Sequence, residues 1–296
     1  METKHIFIEE FSVDMILPED IIIFGAWHNL YAPLLNQIKN KRGILWTSTI
    51  LQAELSLESV ELKIFESVLH LHKTKLIDFV LIGDKKLADT FEIEGIIHFP
   101  YPIKQNKGEF VPPLFSIPST NVGLFTVNHP RKNRTNQLMA VLRANKKSDK
   151  QNIRFISNCS SLNSSCPTLI NKTWMIQEEY DQTLRSIQFG INVFICESFC
   201  YSFSELMCRG IPTITSYTVA KNFDLHNDDF LTKSLIVYDP DDVIEISEKI
   251  LKLNELSLED KEKLSKKCYE FMNQFSEKNN AKCVDTINRL YCYLGN

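Results

Sequence analysis

Two glutamates with seven residues between them are the side chains in this sequence best placed to bind a polar ligand. Glu197 follows the apolar run Val193 to Ile195, which is short enough for a buried strand. Glu205 lies in a stretch with a helical pattern that ends at Gly210, and a second apolar run, Ile211 to Thr215, follows. An exposed carboxylate pair is often plain surface charge. Because charge in so apolar a segment is costly unless it is used, this pattern favours carboxylates that accept hydrogen bonds from sugar or ribose hydroxyls.

A basic turn follows the predicted strand Val122 to Phe125, where Arg131 and Lys132 precede a predicted helix from about Asn133 to Asn145. Fixed cations beside the unpaired amides of a helix N-terminus bind anions such as phosphate. A solvated basic turn without a ligand is the alternative interpretation of the same residues.

A lone histidine, His28, follows the predicted strand Ile21 to Phe24 in the segment FGAWHNL. A lone histidine is more often structural or merely exposed than part of a site, because imidazole serves many roles. Thr47 to Thr49, predicted to form a polar loop after the next strand, offers hydroxyl groups to a ligand.

Strands and helices alternate through residues 1–105, beginning with a weak strand candidate at Ile6 to Ile8, and the alternation resumes at about residue 121. Residues 106–120 contain three prolines and are predicted to link two domains. The second domain is predicted to span 121–280, with a short strand at Ser234 to Val237 and a helix at Ser257 to Phe275. A separate amphipathic helix is predicted at 281–294. The pattern therefore predicts an α/β fold with two Rossmann-like parallel-sheet lobes, and a cleft between such lobes is a common place for a small-molecule site.

Composition excludes several classes of protein. The chain of 296 residues is 44% hydrophobic and carries a net charge of −4, which argues against a protein that coats nucleic acid or anionic membrane through bulk charge. The eight cysteines form no C-x-x-C motif and no zinc-finger spacing, so a reduced, cytoplasmic compartment is expected. The N-terminus lacks the features of a signal peptide, and no apolar run reaches the roughly 18 residues that a membrane span needs.

The order of residues from Glu197 to Pro212 resembles the E-x7-E signature of retaining GT-B glycosyltransferases, of the group 1, family 4-like type. Those families read E-x-F-G, then E-A-M-x-x-G-x-P, and this chain reads ESFC, then ELMCRGIP. Cys200 replaces the glycine and Leu206 the alanine, while order and spacing are kept. The resemblance implies a GT-B fold with an interdomain cleft, and a nucleotide-diphosphate sugar such as a UDP- or GDP-sugar as the donor substrate. It implies no other cofactor.

The resemblance also implies roles for single residues. In these families the first glutamate contacts the donor sugar and the second binds the ribose, and these roles pass to Glu197 and Glu205. Lys132 matches the lysine that binds the diphosphate. Arg131 stands in for an arginine that the families place just after the strand glycine, where this chain has Leu124. His28 matches a histidine of the N-terminal lobe that lies near the donor sugar.

Three further residues are assigned to the nucleotide-sugar site. Ser202 and Phe203 lie between the two glutamates, and Met175 lies in the segment Thr173 to Met175, where the resembled families hold the base. Trp174 in that segment is as well suited to core packing as to stacking on a base. No D-x-D motif with a supporting context occurs, so no metal requirement is expected.

The chain departs from the family pattern at its N-terminus. It contains nine glycines, none of them before Gly25, so the usual glycine-rich loop is missing and the acceptor-side lobe is shortened. The helix at 281–296 is expected to cross back onto that lobe, as in similar proteins.

The leading hypothesis is thus a cytoplasmic, metal-independent, retaining hexosyltransferase. Its acceptor is expected to be a glycan, a lipid or a protein, with peripheral membrane contact allowed and nucleic acid disfavoured. Two alternatives stay open: a DNA-modifying glycosyltransferase, and a non-catalytic α/β protein that binds a nucleotide sugar.

Overall fold

The structure, a computed structural model, describes most of the chain: residues 10–17, 21–24, 32–38, 45–50, 59–104, 110–127, 129–149, 152–158, 168–172, 175–197 and 199–294. The chain divides into two compact units, one formed by Met1–Tyr101 with Ala281–Asn296 and the other by Pro102–Asn280. None of the helices described is both long enough and apolar enough to span a membrane.

The first unit contains a four-stranded, fully parallel sheet in the order β1-β2-β3-β4. Its elements are β1 (Ile21–Phe24), α1 (Ala32–Ile38), β2 (Leu45–Ile50), α2 (Ser59–Lys73), β3 (Phe79–Ile82), α3 (Lys85–Thr90) and β4 (Ile96–His98). Thr47 to Thr49 lie inside β2, where Thr47 and Ser48 pair with both β1 and β3 and Thr49 pairs with β3, so the prediction of a polar loop there is wrong. Threonine is common in strands although it carries a hydroxyl group, because its branched Cβ suits the pleated backbone. The strand candidate at Ile6 to Ile8 lies outside the described residues.

The second unit contains a six-stranded, fully parallel sheet in the order β10-β9-β8-β5-β6-β7. No helix or strand occurs at 110–119, and β5 begins at Thr120. The elements that follow are β5 (Thr120–Leu124), α4 (Arg134–Lys147), β6 (Ile153–Ser157), β7 (Leu169–Asn171), α5 (Gln177–Arg185), β8 (Phe189–Asn192), α6 (Tyr201–Cys208), β9 (Thr213–Ser216), α7 (Tyr217–Ala220), α8 (Asp229–Leu235), β10 (Ile236–Val237), α9 (Val243–Glu255) and α10 (Leu258–Leu294).

The strand before Glu197 starts earlier than the apolar run Val193 to Ile195 predicts. Gly190 pairs with Gly123 of β5 and with Thr213 of β9, which fixes Phe189–Asn192 as β8. A Cβ on Gly190 would lie closer to the Thr213 hydroxyl oxygen than van der Waals contact allows, so a glycine lets the strands pack there. The apolar run is instead a buried connection after the strand, which hydrophobicity alone does not distinguish from a strand.

Two other predicted elements differ from the observed ones. Ser234 belongs to α8, where its hydroxyl donates to the Phe230 carbonyl oxygen at 2.7 Å, and β10 is only Ile236–Val237. The two C-terminal helices are one continuous helix, α10, because no glycine or proline interrupts residues 276–280. Asn280 lies within it, and its side-chain amide bonds the main-chain N–H and C=O of Ile103.

The C-terminal part of α10 is packed into the core of the first unit. Cys283 and Leu290 are buried against Leu81 of β3 and Phe99. The Cys283 thiol donates to the Pro100 carbonyl oxygen at 3.0 Å, and burial raises its pKa to about 11. The thiol is therefore a neutral core group at physiological pH.

Leu290→Ala is expected to destabilise the first unit by about 2–5 kcal/mol, because the leucine is 1% exposed and its loss leaves a cavity. Val284→Ala is the matched control on the same helix, since Val284 is 53% exposed. The measurement is hydrogen exchange of the β3 amides in the full-length chain. Equal protection of β3 in both variants would contradict the packing of α10 against this sheet.

Candidate functional site

The basic turn after β5 is a single turn of 3-10 helix, Pro130–Lys132, that leads directly into α4. The Nδ1 atom of His129 accepts a hydrogen bond from the Arg131 amide at 3.3 Å, which caps the turn. Asn133 then adopts a left-handed conformation with φ of 49°, a conformation that asparagine tolerates better than most residues, and α4 begins at the next residue. The turn places Lys132 at the carboxyl edge of the sheet.

Lys132 and Glu197 form an ion pair in the interior of the second unit. The Nζ atom of Lys132 contacts the Oε2 atom of Glu197, and the side chains are 9% and 6% exposed. The same ammonium lies 4.6 Å from the centre of the Phe194 ring, which adds a cation–π contact. Removing Lys132 would leave the Glu197 carboxylate buried without its ion-pair partner, so Glu197 depends on Lys132.

Main-chain bonds fix the two segments that carry the pair. The Ile195 amide donates to the Arg131 carbonyl oxygen at 2.9 Å. The side chain of Gln137, fully buried on α4, accepts from the Val193 amide at 2.9 Å and donates to the Lys132 carbonyl oxygen at 2.7 Å. The connection after β8 is therefore bonded to the turn after β5 through both backbone and side chain.

The Glu197 main chain is held from a third direction. Asn222 donates its side-chain amide to the Glu197 carbonyl oxygen at 3.1 Å, and the Thr218 hydroxyl lies 3.4 Å from the Ile195 carbonyl oxygen. The sequence interpretation missed Asn222, and it missed Gln137. For Gln137 a signal exists, because a glutamine on a helix face with Val141 and Ala144 is a buried polar residue that needs partners. For Asn222 no local pattern indicates the contact.

Glu205 lies on α6 and its side chain is exposed, whereas the Lys132–Glu197 pair is buried. The Glu205 side chain forms no ion pair with Lys132. The Tyr180 hydroxyl from α5 donates to its Oε2 atom at 2.9 Å. Burial raises the pKa of Tyr180 well above its usual value of 10.0, and the neighbouring Glu205 carboxylate raises it further. Tyr180 therefore stays a hydrogen-bond donor to Glu205 across the physiological range.

The remaining predicted site residues fall into different surroundings. Ser202 is partly buried, and its hydroxyl oxygen accepts from the Asn192 side-chain Nδ2 at 3.4 Å and lies 3.4 Å from the Cys200 sulfur. Phe203 is fully buried with its ring centre 4.9 Å from that of Phe223, so only its main chain is left to contact a ligand. Met175 packs against the cluster that contains Phe125 and Leu184, and its sulfur accepts from Thr183. His28, Thr173 and Trp174 lie outside the described residues.

Cys200, which stands where the resembled families have glycine, turns its side chain into the core. It is 3% exposed, and burial raises the pKa of its thiol. A side chain at this position therefore does not project over the carboxyl edge of the sheet.

The described residues contain no group of three or more histidine, cysteine, aspartate or glutamate side chains that could hold a metal ion.

No family model matches the chain, and no curated protein matches it in sequence. Solved structures do match. An E. coli trehalose-6-phosphate protein bound with UDP-2-fluoro glucose aligns with a TM-score of 0.63 and 12% identity, over 94% of this chain and 74% of that one. An α,α-trehalose-phosphate synthase (UDP-forming) from Burkholderia vietnamiensis aligns with a TM-score of 0.63 and 10% sequence identity, over 94% of this chain and 75% of that one. A mutant of S. aureus TarM, in complex with fondaparinux, alpha-GlcNAc-glycerol and UDP, aligns with a TM-score of 0.59 and 14% sequence identity, over 93% of this chain and 55% of that one.

These neighbours are GT-B glycosyltransferases. The chain has the GT-B fold. The prediction of an α/β, GT-B architecture is thereby confirmed, and the resemblance in the segment from Glu197 to Pro212 pointed to the correct fold. Because the sequence identities are only 10 to 14%, the structural similarity establishes the fold alone. The roles assigned to single residues stay predictions. The chain also spans only about half of the length of TarM.

Lys132→Met is expected to lower the free energy of unfolding by about 3–5 kcal/mol, because it leaves the Glu197 carboxylate buried without its partner. The double variant Lys132→Met with Glu197→Gln should recover most of this loss, since no buried charge remains. Urea denaturation of the full-length chain measures both. Lys266→Met is the control, because the Lys266–Glu270 pair is exposed and should contribute at most about 1 kcal/mol. A single variant as stable as the wild type, or a double variant no better than the single, would contradict the dependence of Glu197 on Lys132.

Tyr180 should make stability fall at high pH. Its folded pKa is raised above the unfolded value of 10.0, so above pH 10 the unfolded chain loses a proton that the folded chain keeps. The stabilisation is complete below pH 10 and is lost as pH rises, by at most about 1.4 kcal/mol per pH unit. Urea midpoints at pH 8, 10 and 11 should show a shallower decline for Tyr180→Phe than for the wild type. Parallel declines would show that the hydroxyl is not held by burial and Glu205.

Proposed function

We propose that the chain is a retaining glycosyltransferase that moves a sugar from a UDP- or GDP-sugar to an acceptor. One observation carries the proposal: a buried lysine–glutamate pair, with an arginine beside the lysine, on connections that follow adjacent strands of a GT-B sheet. The carboxyl ends of parallel strands are where α/β proteins bind ligands. Support also comes from neighbours of the same fold that bind UDP-2-fluoro glucose or UDP, and from a trehalose-6-phosphate synthase studied for glycosyltransfer with retention.

In this proposal the cations act on the leaving group. The bond between the anomeric carbon and the diphosphate oxygen breaks, and negative charge develops on that oxygen. Lys132 and Arg131 lie in one turn and stabilise this charge. The acceptor hydroxyl forms the new bond on the same face of the sugar, and its proton passes to the leaving diphosphate oxygen. No external base and no oxidant is needed.

The two glutamates divide the donor between them. A diphosphate beside Lys132 competes with Glu197 for the ammonium, and the carboxylate then accepts hydrogen bonds from the donor sugar. Glu205, exposed on α6 and oriented by Tyr180, accepts from the ribose hydroxyls. Ser202 and the Phe203 main chain at the start of α6, together with Met175, complete the nucleotide side. His28, which lies outside the described residues, is proposed to contact the donor sugar.

A non-catalytic protein that binds a nucleotide sugar is the second candidate. The observation in its favour is that Lys132 and Glu197 satisfy each other's charge, as a structural pair would. Turnover separates the candidates, since a binding protein would hold the donor and never release free sugar or transfer it.

A thermal-shift screen of UDP-, GDP- and ADP-sugars tests the donor class, because a ligand of the folded state raises the melting temperature. Glu205→Ala should weaken nucleotide binding about tenfold or more without loss of fold, since a hydrogen bond to a charged group contributes about 1.5–3 kcal/mol. Glu262→Ala, an exposed glutamate on α10, is the matched control. Activity in the presence of EDTA tests the predicted independence of metal.

Failure of every nucleotide sugar to shift the melting temperature or to be hydrolysed would refute the proposed function. Equal affinity of the Glu205→Ala and Glu262→Ala variants would refute the ribose assignment alone.

A further inference from the structure

Two exposed tyrosines follow neighbouring strands at the carboxyl edge of the second sheet. Tyr217 comes directly after β9 and Tyr238 directly after β10, and they are 43% and 64% exposed. Their ring centres are 5.8 Å apart and the ring planes differ by 22°, so the rings stack. We call Tyr217 and Tyr238 the tyrosine ledge.

The tyrosine ledge is held by hydrogen bonds of its main chain and by a neighbouring ring. The Tyr238 and Asp239 amides donate to the two carboxylate oxygens of Glu245 at 3.2 and 3.3 Å. The His226 ring meets the Tyr217 ring edge-on, with the centres 6.0 Å apart. Because backbone and packing hold the rings, a ligand that stacks on them loses little side-chain freedom, and this favours binding.

Carboxylates dominate the charge beside Tyr238. Asp239 and Asp241 follow it and are exposed, while Lys221 and Lys233 are the exposed lysines between Ser216 and Asp242. Phosphate-rich ligands require clusters of lysine and arginine, which this edge lacks among the described residues between Ser216 and Asp242. Carboxylates and two lysines that lie twelve positions apart in the sequence instead suit the hydroxyl groups of a neutral ligand, which both donate and accept hydrogen bonds.

Exposed aromatic rings bind the C–H face of a pyranose, because the negative face of the ring attracts polarised C–H groups. We propose that the tyrosine ledge binds a neutral oligosaccharide, which makes the acceptor of the proposed transferase a glycan. The assignment of this glycan as the acceptor rests on the proposed function. The hydrogen bond from Thr218 to the Ile195 carbonyl joins the residue after Tyr217 to the segment that carries Glu197. A glycan lying on the ledge is thus bound to the same edge of the sheet as the candidate donor site.

The test is saturation-transfer NMR and calorimetry on the full-length chain with maltohexaose, cellohexaose and N-acetylchitohexaose. At least one should bind, and Tyr217→Ala and Tyr238→Ala should each weaken its binding about tenfold, equivalent to about 1.4 kcal/mol. Tyr238→Phe keeps the ring and should keep affinity within about twofold, which separates stacking from misfolding. Phe230→Ala is the matched control, since Phe230 is an exposed aromatic residue on α8. It should bind as the wild type does.

Three outcomes would overturn the proposal that the tyrosine ledge binds an oligosaccharide. In the first no hexasaccharide binds, and in the second the alanine variants bind like Phe230→Ala. In the third a decathymidylate, which is a phosphate-rich ligand, binds more tightly than any of the sugars. UDP- and GDP-sugar affinity, measured on the same samples, separates this result from the proposed function. Donor binding without oligosaccharide binding overturns the ledge only. Tyrosine-dependent oligosaccharide binding without donor binding supports the ledge as a glycan surface and overturns its assignment to an acceptor.

Discussion

The candidate site depends on a buried ion pair that the topology of the sheet makes possible. Lys132 and Glu197 are 65 positions apart in the chain, on the connections that follow β5 and β8. These two strands are neighbours in the sheet although β6 and β7 separate them in sequence. Taking both charges out of water costs several kcal/mol for each ion, which attraction offsets only when the partners meet closely. A strand order that separated β5 from β8 would separate Lys132 from Glu197, so the pair depends on this crossover.

The surrounding polar contacts explain why the Lys132–Glu197 pair is held in a fixed position. Gln137 bonds the main chains of both connections at once, and a further main-chain bond joins Ile195 to Arg131. The Gln137 bonds lie in the interior, where unmade hydrogen bonds are expensive and made ones restrict motion. The free-energy cost of positioning the charged groups is therefore incurred when the chain folds. A site arranged in this way can stabilise developing charge without reorganising at the moment of reaction.

The sequence sufficed for the fold because alternation and breakers are local signals. Gly210, with φ of 71°, ends α6 where predicted, and Asp228 and Asp242 cap helices by accepting from amides, as short polar residues before helices do. Other features depend on contacts between residues that are distant in the sequence. The position of β8 depends on the approach of Gly190 to Thr213, and the burial of Lys132 depends on Glu197 and Phe194. Neither partner is visible within a window of neighbouring residues.

The same sheet edge carries a buried ion pair and an exposed pair of aromatic rings. β5 and β8 have a strand on each side, and Lys132 and Glu197, on the connections that follow them, are buried. β10 is two residues long and has a neighbour on one side only, and Tyr238 after it is 64% exposed. A buried charge needs a close partner, because the attraction between the two must offset the cost of desolvation, whereas stacking surfaces must face solvent to meet a ligand. β5 and β8 therefore carry the ion pair that is proposed to meet a diphosphate, and β9 with the edge strand β10 carries the exposed rings that are proposed to meet a neutral glycan.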